Sequence, residues 1–373
     1  MRWTYPLNRA IVKGMKAQLI YNPVAGLRDA EQDLRQAIAF LEGQGWEVRL
    51  RRTLGRGDAI TYAREAVADG CDIVIAAGGD GTLGEVATGL VGTHCLLGVL
   101  PVGTGNVWAH MVRLPVWSPT YRTALLDAAR ILVNGQQRLV DVGKAGERYF
   151  VLWCGIGFDA AVARTVEPHR EIRRSLGNLT YVVMALAQSL SMRGIRATVV
   201  VDGKAVRERV LMIVVSNARL YGPSWQLAPL AQLDDGLLEV YIFRGGSTLD
   251  LFRHFATLLL GKHHQNPRVE WYRARTIEVR GEKPLPVHLD GDPAGYTPVA
   301  IHVVPRALRV ILPEEAAPSL FQGELAEEEE APSLGARLAQ YLAHQREYWR
   351  GESERLRADL GKRLGIPQKD DEA

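Results

Sequence analysis

Cysteine is scarce, with three among 373 residues. Cys71, Cys95 and Cys154 stand far apart and form no Cys-x-x-Cys pair, which argues against a disulfide framework and a thiolate zinc site and fits a reducing cytoplasm. An excess of one charge is also missing: 45 Lys and Arg face 42 Asp and Glu, for a formal net charge of +3. No nucleic-acid partner is expected from that balance. The longest apolar run, residues 179–190, is broken by Thr180, Gln188 and Ser189 and falls short of the ~20 residues a spanning helix needs, so contact with a membrane would be peripheral. The first residues lack the uninterrupted apolar core of a secretion signal. A Walker-type phosphate loop is absent as well. The Gly-Lys pairs at Gly143, Gly203, Gly261 and Gly361 are followed by Ala, Ala, His and Arg, so none reads Gly-Lys-Ser/Thr.

What is present is the composition of an ordinary globular protein, 47% hydrophobic and 23% charged, long enough for two domains and a further segment. Apolar strand-like runs at 17–21, 47–52, 72–76 and 97–100 alternate with helical patterns at 29–44, 58–69, 83–90 and 120–134. That alternation predicts an α/β domain with a doubly wound parallel sheet. After Val140-Asp141-Val142 the pattern changes to short β-rich runs at 148–154, 196–201, 207–217, 237–243, 276–280, 287–290, 300–304 and 308–312, which predict an antiparallel β-sandwich. Helical stretches at 170–192 and 248–260 interrupt them. The chain thus divides into an extension (1–15), a nucleotide-type α/β domain (16–142), a sandwich domain (143–313) and a charged, partly helical tail (314–373).

Two glycine turns carry the chemistry. Gly78-Gly79-Asp80-Gly81-Thr82 follows one apolar strand and precedes a helix, where close backbone approach and free amides suit a phosphate. Pro101-Val102-Gly103-Thr104-Gly105-Asn106 follows the next strand and emerges at the same carboxyl edge of the sheet, where open α/β folds bind ligands. Asn22-Pro23-Val24-Ala25-Gly26 reaches that edge too. Together these loops could clamp a nucleotide triphosphate. Two acidic segments, Asp234-Asp235-Gly236 and Asp290-Gly291-Asp292, read by themselves as turns.

The set resembles the diacylglycerol kinase and sphingosine kinase superfamily, closest to the soluble bacterial lipid kinases. The resembling motifs are Asn22-Pro23 with Gly26, Gly78 to Thr82 with Glu85, and Pro101 with Gly103-Thr104-Gly105-Asn106. They continue in the second half with Gly155-Ile156-Gly157-Phe158-Asp159, Asn217 with Tyr221-Gly222, Pro229 to Leu238, and Leu289-Asp290-Gly291-Asp292. The resemblance implies an ATP-dependent lipid kinase using Mg²⁺ and acting on a lipid hydroxyl at a membrane surface. It further implies that Asn22, Thr53, Gly78, Gly79, Asp80, Gly81, Thr82, Glu85, Gly103, Thr104 and Asn106 handle the nucleotide. Asp235, with the carbonyls of Gln232 and Leu237, would match a structural metal position. Asp292 stands where the family usually has Glu as the base, and Asp80 is the second candidate for a catalytic carboxylate. The sequence departs from the family at Gly84, where Asn is usual, at Val107-Trp108, where Asp-Phe is usual, and at Asp292.

Two rival functions stay open at this point, an NAD kinase-like enzyme and a catalytically silent lipid- or nucleotide-binding protein. A homodimer is also left open. Arg170, Arg173 and Arg174 head a helical stretch that would either meet lipid headgroups or cover the sandwich. The tail, with Leu338, Leu342, Trp349, Leu356 and Leu360 at helical spacing, would pack on the protein, a partner or a membrane. His263 and His264 lack companion ligands and are expected at the surface.

Overall fold

The computed structural model describes residues 14–26, 29–118, 121–166, 194–222 and 225–322. The stretch read at 170–192 and the tail pattern at 334–364 lie outside the described residues. Strands β1 (Lys16–Tyr21), β2 (Glu47–Arg52), β3 (Ile73–Gly78) and β4 (Leu96–Pro101) form a parallel array in the order β2-β1-β3-β4. Every residue of β3 and β4 is buried, as expected for strands covered on both faces. The edge strand β2, Glu-Val-Arg-Leu-Arg-Arg, has no fully buried residue.

Helices α1 (Glu31–Gly43) and α5 (Ala124–Asn134) cover one face of this sheet, bringing Leu34, Leu41, Leu125 and Leu132 against Leu19, Ile75 and Leu100. On the other face lie α2 (Asp58–Ala68), α3 (Asp80–Leu90) and the single-turn α4 (Val107–Met111). Small residues let α2 and α3 approach closely: a Cβ on Gly89 would come within 2.5 Å of Ala63 Cβ.

The second half is antiparallel. It comprises β5 (Gln136–Ala145), β6 (Arg148–Phe150), β7 (Trp153–Gly157), α6 (Phe158–Val166), β8 (Ile195–Val201), β9 (Lys204–Ser216), the short ribbon of β10 (Leu220–Tyr221) and β11 (Trp225–Gln226), β12 (Leu238–Arg244), α7 (Thr248–Leu259), β13 (Val269–Ala274), β14 (Thr276–Gly281), β15 (Pro286–Leu289), β16 (Asp292–Tyr296) and β17 (Val299–Leu312). The strand order is β16-β15-β7-β9-β8-β14-β17, with β12 and β13 extending from β9. Ile156, Val199, Ile213, Val240, Ile277 and Val287 fill the interior of this sandwich.

The two halves share strands. The runs read separately at 300–304 and 308–312 are one strand, β17, whose register with β5 shifts between Val304 and Leu308, where Arg306 takes φ 47°. Its first part pairs with β14, and its last part pairs in parallel with β4 through Arg309 and Val310. Antiparallel β5 flanks β17 along both parts, so the boundary read at residue 142 falls within a strand. Alternation had not been strong enough in 136–145 to mark that strand from sequence.

The reading of His263 and His264 as surface residues is corrected by the structure. A single 3₁₀ turn after α7 folds them back over β12, leaving His263 1% exposed with Nε2 2.8 Å from the Leu227 carbonyl oxygen and both rings against Tyr241. Burial lowers both histidines' proton affinity, His264 to about 4.

Candidate active site

The loops that follow β1, β3 and β4 meet at one edge of the parallel sheet. The Asn22 N–H donates to the Ala77 carbonyl at 2.9 Å, and Asn22 Nδ2 donates to Thr82 Oγ1 at 3.0 Å. From the other side, the N–H groups of Val102 and Gly103 both donate to the Gly78 carbonyl, at 3.1 and 3.2 Å. The two glycine turns touch so closely that a Cβ on Gly103 would lie 2.4 Å from Gly79 Cα. Because α3 starts at Asp80, its first amides face this junction, where an anion is favoured.

Several carboxylates organise the rim. Asp80 is half-buried, and its two oxygens accept the N–H groups of Val107 and Trp108 at 3.0 and 3.1 Å, so it caps α4. Burial raises its pKa against the pull of those two bonds. Glu85 Oε1 accepts the Gly57 N–H at 2.9 Å, tying α3 to the start of α2, and burial, with Asp292 adding to it, raises its pKa. Thr53 is buried where β2 runs on past β1, donating its N–H to the Tyr21 carbonyl at 2.8 Å.

Two oxygens in the second glycine turn stand out because they are buried without a protein partner: Thr104 Oγ1 and Asn106 Oδ1. Asn106 uses its amide nitrogen on the Gly103 carbonyl at 2.8 Å, so its oxygen is left for something else. An unsatisfied buried polar atom costs about 1–3 kcal/mol. A bound ligand removes that penalty.

Asp292 arrives from the second half of the molecule. It begins β16, just after the two-residue turn Asp290-Gly291, whose φ angles of 50° and 90° suit the tight hairpin that Asp-Gly favours. Asp290 anchors the turn by accepting the N–H groups of Val151, Leu152 and Trp153 at 2.9, 2.9 and 3.0 Å, and burial pushes its carboxyl up to about 7. Gly84 lies against the same carboxylate, since a Cβ there would meet Asp290 Oδ2 at 2.7 Å. Asp292 itself lies over Gly81 in the first glycine turn, 29% exposed, with Arg56 and Arg148 at 3.8 and 3.9 Å.

Thus Asn22, Gly78 to Thr82, Gly103, Thr104, Asn106 and Asp292 gather in one cleft, with Thr53 and Glu85 behind it. Gln232, Asp235 and Leu237 belong to another cluster. There Asp235 is paired with Arg273, whose Nε also binds Glu239 at 3.0 Å, while the Leu237 N–H donates to Asp235 Oδ1 at 3.0 Å. A cation at Asp235 would share that carboxylate with a guanidinium. Arg56, Arg148 and the anchoring role of Asp290 were not singled out from sequence; the arginines sit in no motif, and only the fold brings them to Asp292.

The model of the diacylglycerol kinase catalytic domain matches residues 16–145, and that of the YegS C-terminal NAD kinase beta sandwich-like domain matches residues 153–312. The chain belongs to the diacylglycerol kinase superfamily of lipid kinases. Among curated members, it is 29% identical over 307 residues to a diacylglycerol kinase of Bacillus subtilis (strain 168), covering 82% of this chain and 99% of that one. A Staphylococcus aureus (strain bovine RF122 / ET3-1) diacylglycerol kinase is 26% identical over 302 residues, 80% of this chain and 93% of its own. The fold matches the crystal structure of a diacylglycerol kinase from Bacillus anthracis str. Sterne, with a TM-score of 0.65, 23% identity and coverage of 82% and 99% of the two chains. As a member of this superfamily the protein is a lipid kinase, and ATP is its phosphoryl donor.

Proposed function

We propose that the protein transfers the γ-phosphoryl group of ATP to a hydroxyl of diacylglycerol or a related long-chain lipid, with Asp292 as the base. The observation that carries this reading is the carboxylate of Asp292 lying over Gly81 at the start of α3, beside the loop suited to phosphates. Phosphoryl transfer depends on positioning and charge neutralisation more than on covalent help. The amides of Gly79 to Thr82 and the Thr104 hydroxyl would hold phosphate oxygens, with Arg56 and Arg148 balancing charge near the nucleophile. Asp80 suits the base role less well, because both its oxygens are already engaged by α4.

Mg²⁺ fits the cleft better than a dedicated cage elsewhere. This ion commonly takes one or two protein oxygens and completes its shell with substrate phosphates and water. Asn106 Oδ1 is a buried acceptor without a donor, as such a contact requires, and no cluster of three or more His, Cys, Asp or Glu exists among the described residues. When bound, Mg²⁺ supplies neutralisation of phosphate charge. Asp235, with the carbonyls of Gln232 and Leu237, stays a candidate for a second, structural cation, in competition with Arg273.

Peripheral membrane contact is supported by α7. Its inner face is buried through Leu251, His254 and Leu258, yet Leu249 and Phe252 on the outer face and Leu260 just after the helix are 69%, 47% and 69% exposed, with Arg253 and Lys262 exposed beside them. Apolar side chains flanked by cations suit an anionic bilayer. No described helix is long and apolar enough to cross a membrane.

Incubation with labelled ATP, Mg²⁺ and a panel of diacylglycerol, monoacylglycerol, sphingoid bases and NAD tests the reading. Label in a chloroform-soluble product, greatest with diacylglycerol, is the expected result. Label in NADP alone, or ATP binding without transfer to any acceptor, would overturn it.

A further inference from the structure

We infer that Tyr221, Asp159 and His288 form a buried hydrogen-bonded chain that positions the base Asp292 through the backbone of Gly291. The inference rests on the proposed role of Asp292 and extends it to three residues that touch neither nucleotide nor lipid hydroxyl in that reading. They come from separate segments. His288 is on β15, Asp159 is in the first turn of α6, and Tyr221 is on β10.

The hydrogen bonds define a direction. The Gly291 N–H donates to His288 Nδ1 at 3.1 Å, so Nδ1 carries the lone pair and the ring hydrogen belongs on Nε2. Nε2 then donates to Asp159 Oδ2 at 3.1 Å, and the Tyr221 hydroxyl donates to the same oxygen at 3.0 Å. Asp159 Oδ1 accepts the Ala160 N–H at 2.8 Å. Every polar atom of the chain therefore has a partner, and the tautomer of His288 is fixed by the partners on both sides.

The surroundings hold the chain in one geometry. The side chains of His288 and Asp159 are 4% and 8% exposed, and the Tyr221 ring packs against Trp153 with centroids 5.1 Å apart. Burial and the Asp159 charge keep the Tyr221 phenol protonated. On the neighbouring strand, Gly155 is the register partner of His288, and a Cβ there would lie 2.0 Å from Asp159 Oδ2 and 2.2 Å from His288 Nε2. Glycine at that position makes room for the pair.

The chain ends where the base begins. Asp290 is held by three amides, and Gly291, the other residue of the turn, is held by His288; Asp292 comes next. The chain thus holds the amide of the turn residue that precedes Asp292, whose carboxylate must meet the lipid hydroxyl. A misplacement of ~1 Å in such a group can cost about 10²-fold in rate. Tyr221, Asp159 and His288 are accordingly positioning residues.

Two substitutions separate the ends of the imidazole. In H288N the amide oxygen can stand near the Nδ1 position and accept the Gly291 N–H, but the side chain does not reach Asp159. In H288Q the amide nitrogen reaches toward Asp159, and nothing is left to accept the Gly291 N–H. With the full-length protein, H288Q is expected to lose about 30-fold or more in kcat with KM for ATP changed by less than about two-fold, while H288N stays within about five-fold of wild type. Y221F, which removes only the far end, should fall between wild type and H288Q. Thermal melts run beside the kinetics show whether each variant is folded. Equal kcat losses in H288N and H288Q that follow their melting temperatures would reduce the chain to packing and overturn the inference. So would wild-type kcat in H288Q with D292N inactive. Full activity in D292N would instead remove Asp292 as the base, a failure of the functional reading and distinct from either of these.

Discussion

The carboxylate of Asp292 occupies the space that a side chain on Gly81 would need: a Cβ there would lie 2.9 Å from Asp292 Oδ2. One residue belongs to the first glycine turn of the parallel sheet and the other to a hairpin of the sandwich, and their approach defines the cleft. Gly81→Ala should displace the carboxylate and lower kcat by about 10-fold or more. Asp292→Asn should lower it by about 10²- to 10⁴-fold with ATP affinity retained. Steady-state kinetics and calorimetric ATP titration check both. Wild-type kcat in either variant would separate Asp292 from catalysis.

The outer face of α7 gives a second prediction. Leu249→Ser combined with Leu260→Ser should weaken binding to anionic vesicles by about 10-fold or more, since burying a leucine side chain is worth about 1.5–3 kcal/mol. Activity on a dispersed short-chain diacylglycerol should be unchanged. Sedimentation assays with vesicles measure the first and a soluble kinase assay the second. A loss of dimer in light scattering, with vesicle binding intact, would assign the face to a second copy of the chain.

Stability should respond to pH through buried carboxyls. Burial holds Asp290 at about 7, Glu239 at about 7 and Asp141 at about 6, against about 3.9–4.3 in an unfolded chain. The folded state thus binds more protons between those limits. Their contribution is full below pH ~4 and is lost as pH rises through about 6–7. His264, lowered to about 4, acts in the opposite sense, costing stability as pH falls from ~6.5 towards 4. Asp290→Asn isolates one carboxyl: the stability gap between wild type and variant should narrow from pH 5 to pH 8 in urea unfolding. A gap that does not change with pH would mean Asp290 ionises normally.

Arg273 offers a test of the cation position. It is the counter-charge for Asp235 and Glu239, whose side chains are 1% and 3% exposed. Removing one partner of a buried ion pair costs about 3–5 kcal/mol, and Arg273→Ala should fall near the lower end because the arginine is 27% exposed. Melts with and without Mg²⁺ distinguish the outcomes. Recovery of the variant by Mg²⁺ would support a metal at Asp235, and no recovery would leave the guanidinium as the sole counter-charge.

Much of this molecule was legible in its sequence, for identifiable reasons. The alternation from Lys16 to Pro101 gave the parallel strands because fully buried β3 and β4 are continuous apolar runs, and the glycine turns at 78–82 and 103–106 announced their contacts. Strand β5 was missed because Gln136, Gln137 and Arg138 open it without alternation. The break in β17 at Pro305-Arg306 looked like an end and is a bulge. His288 carried no signal at all. A lone histidine beside a turn has meaning only when the fold places Asp159 and Gly291 on its two nitrogens.

The shared strand also bears on how the protein is made. Because β17 supplies the neighbour that β4 lacks, the nucleotide-holding half has an open sheet edge for as long as the ribosome has not delivered residues 299–312. An early-synthesised half with an unpaired edge is a template for pairing with other chains. The newborn kinase therefore covers the β4 edge only late in translation, and a stalled ribosome or a truncation before Arg309 would release a chain whose β4 edge stays open to pairing with its neighbours.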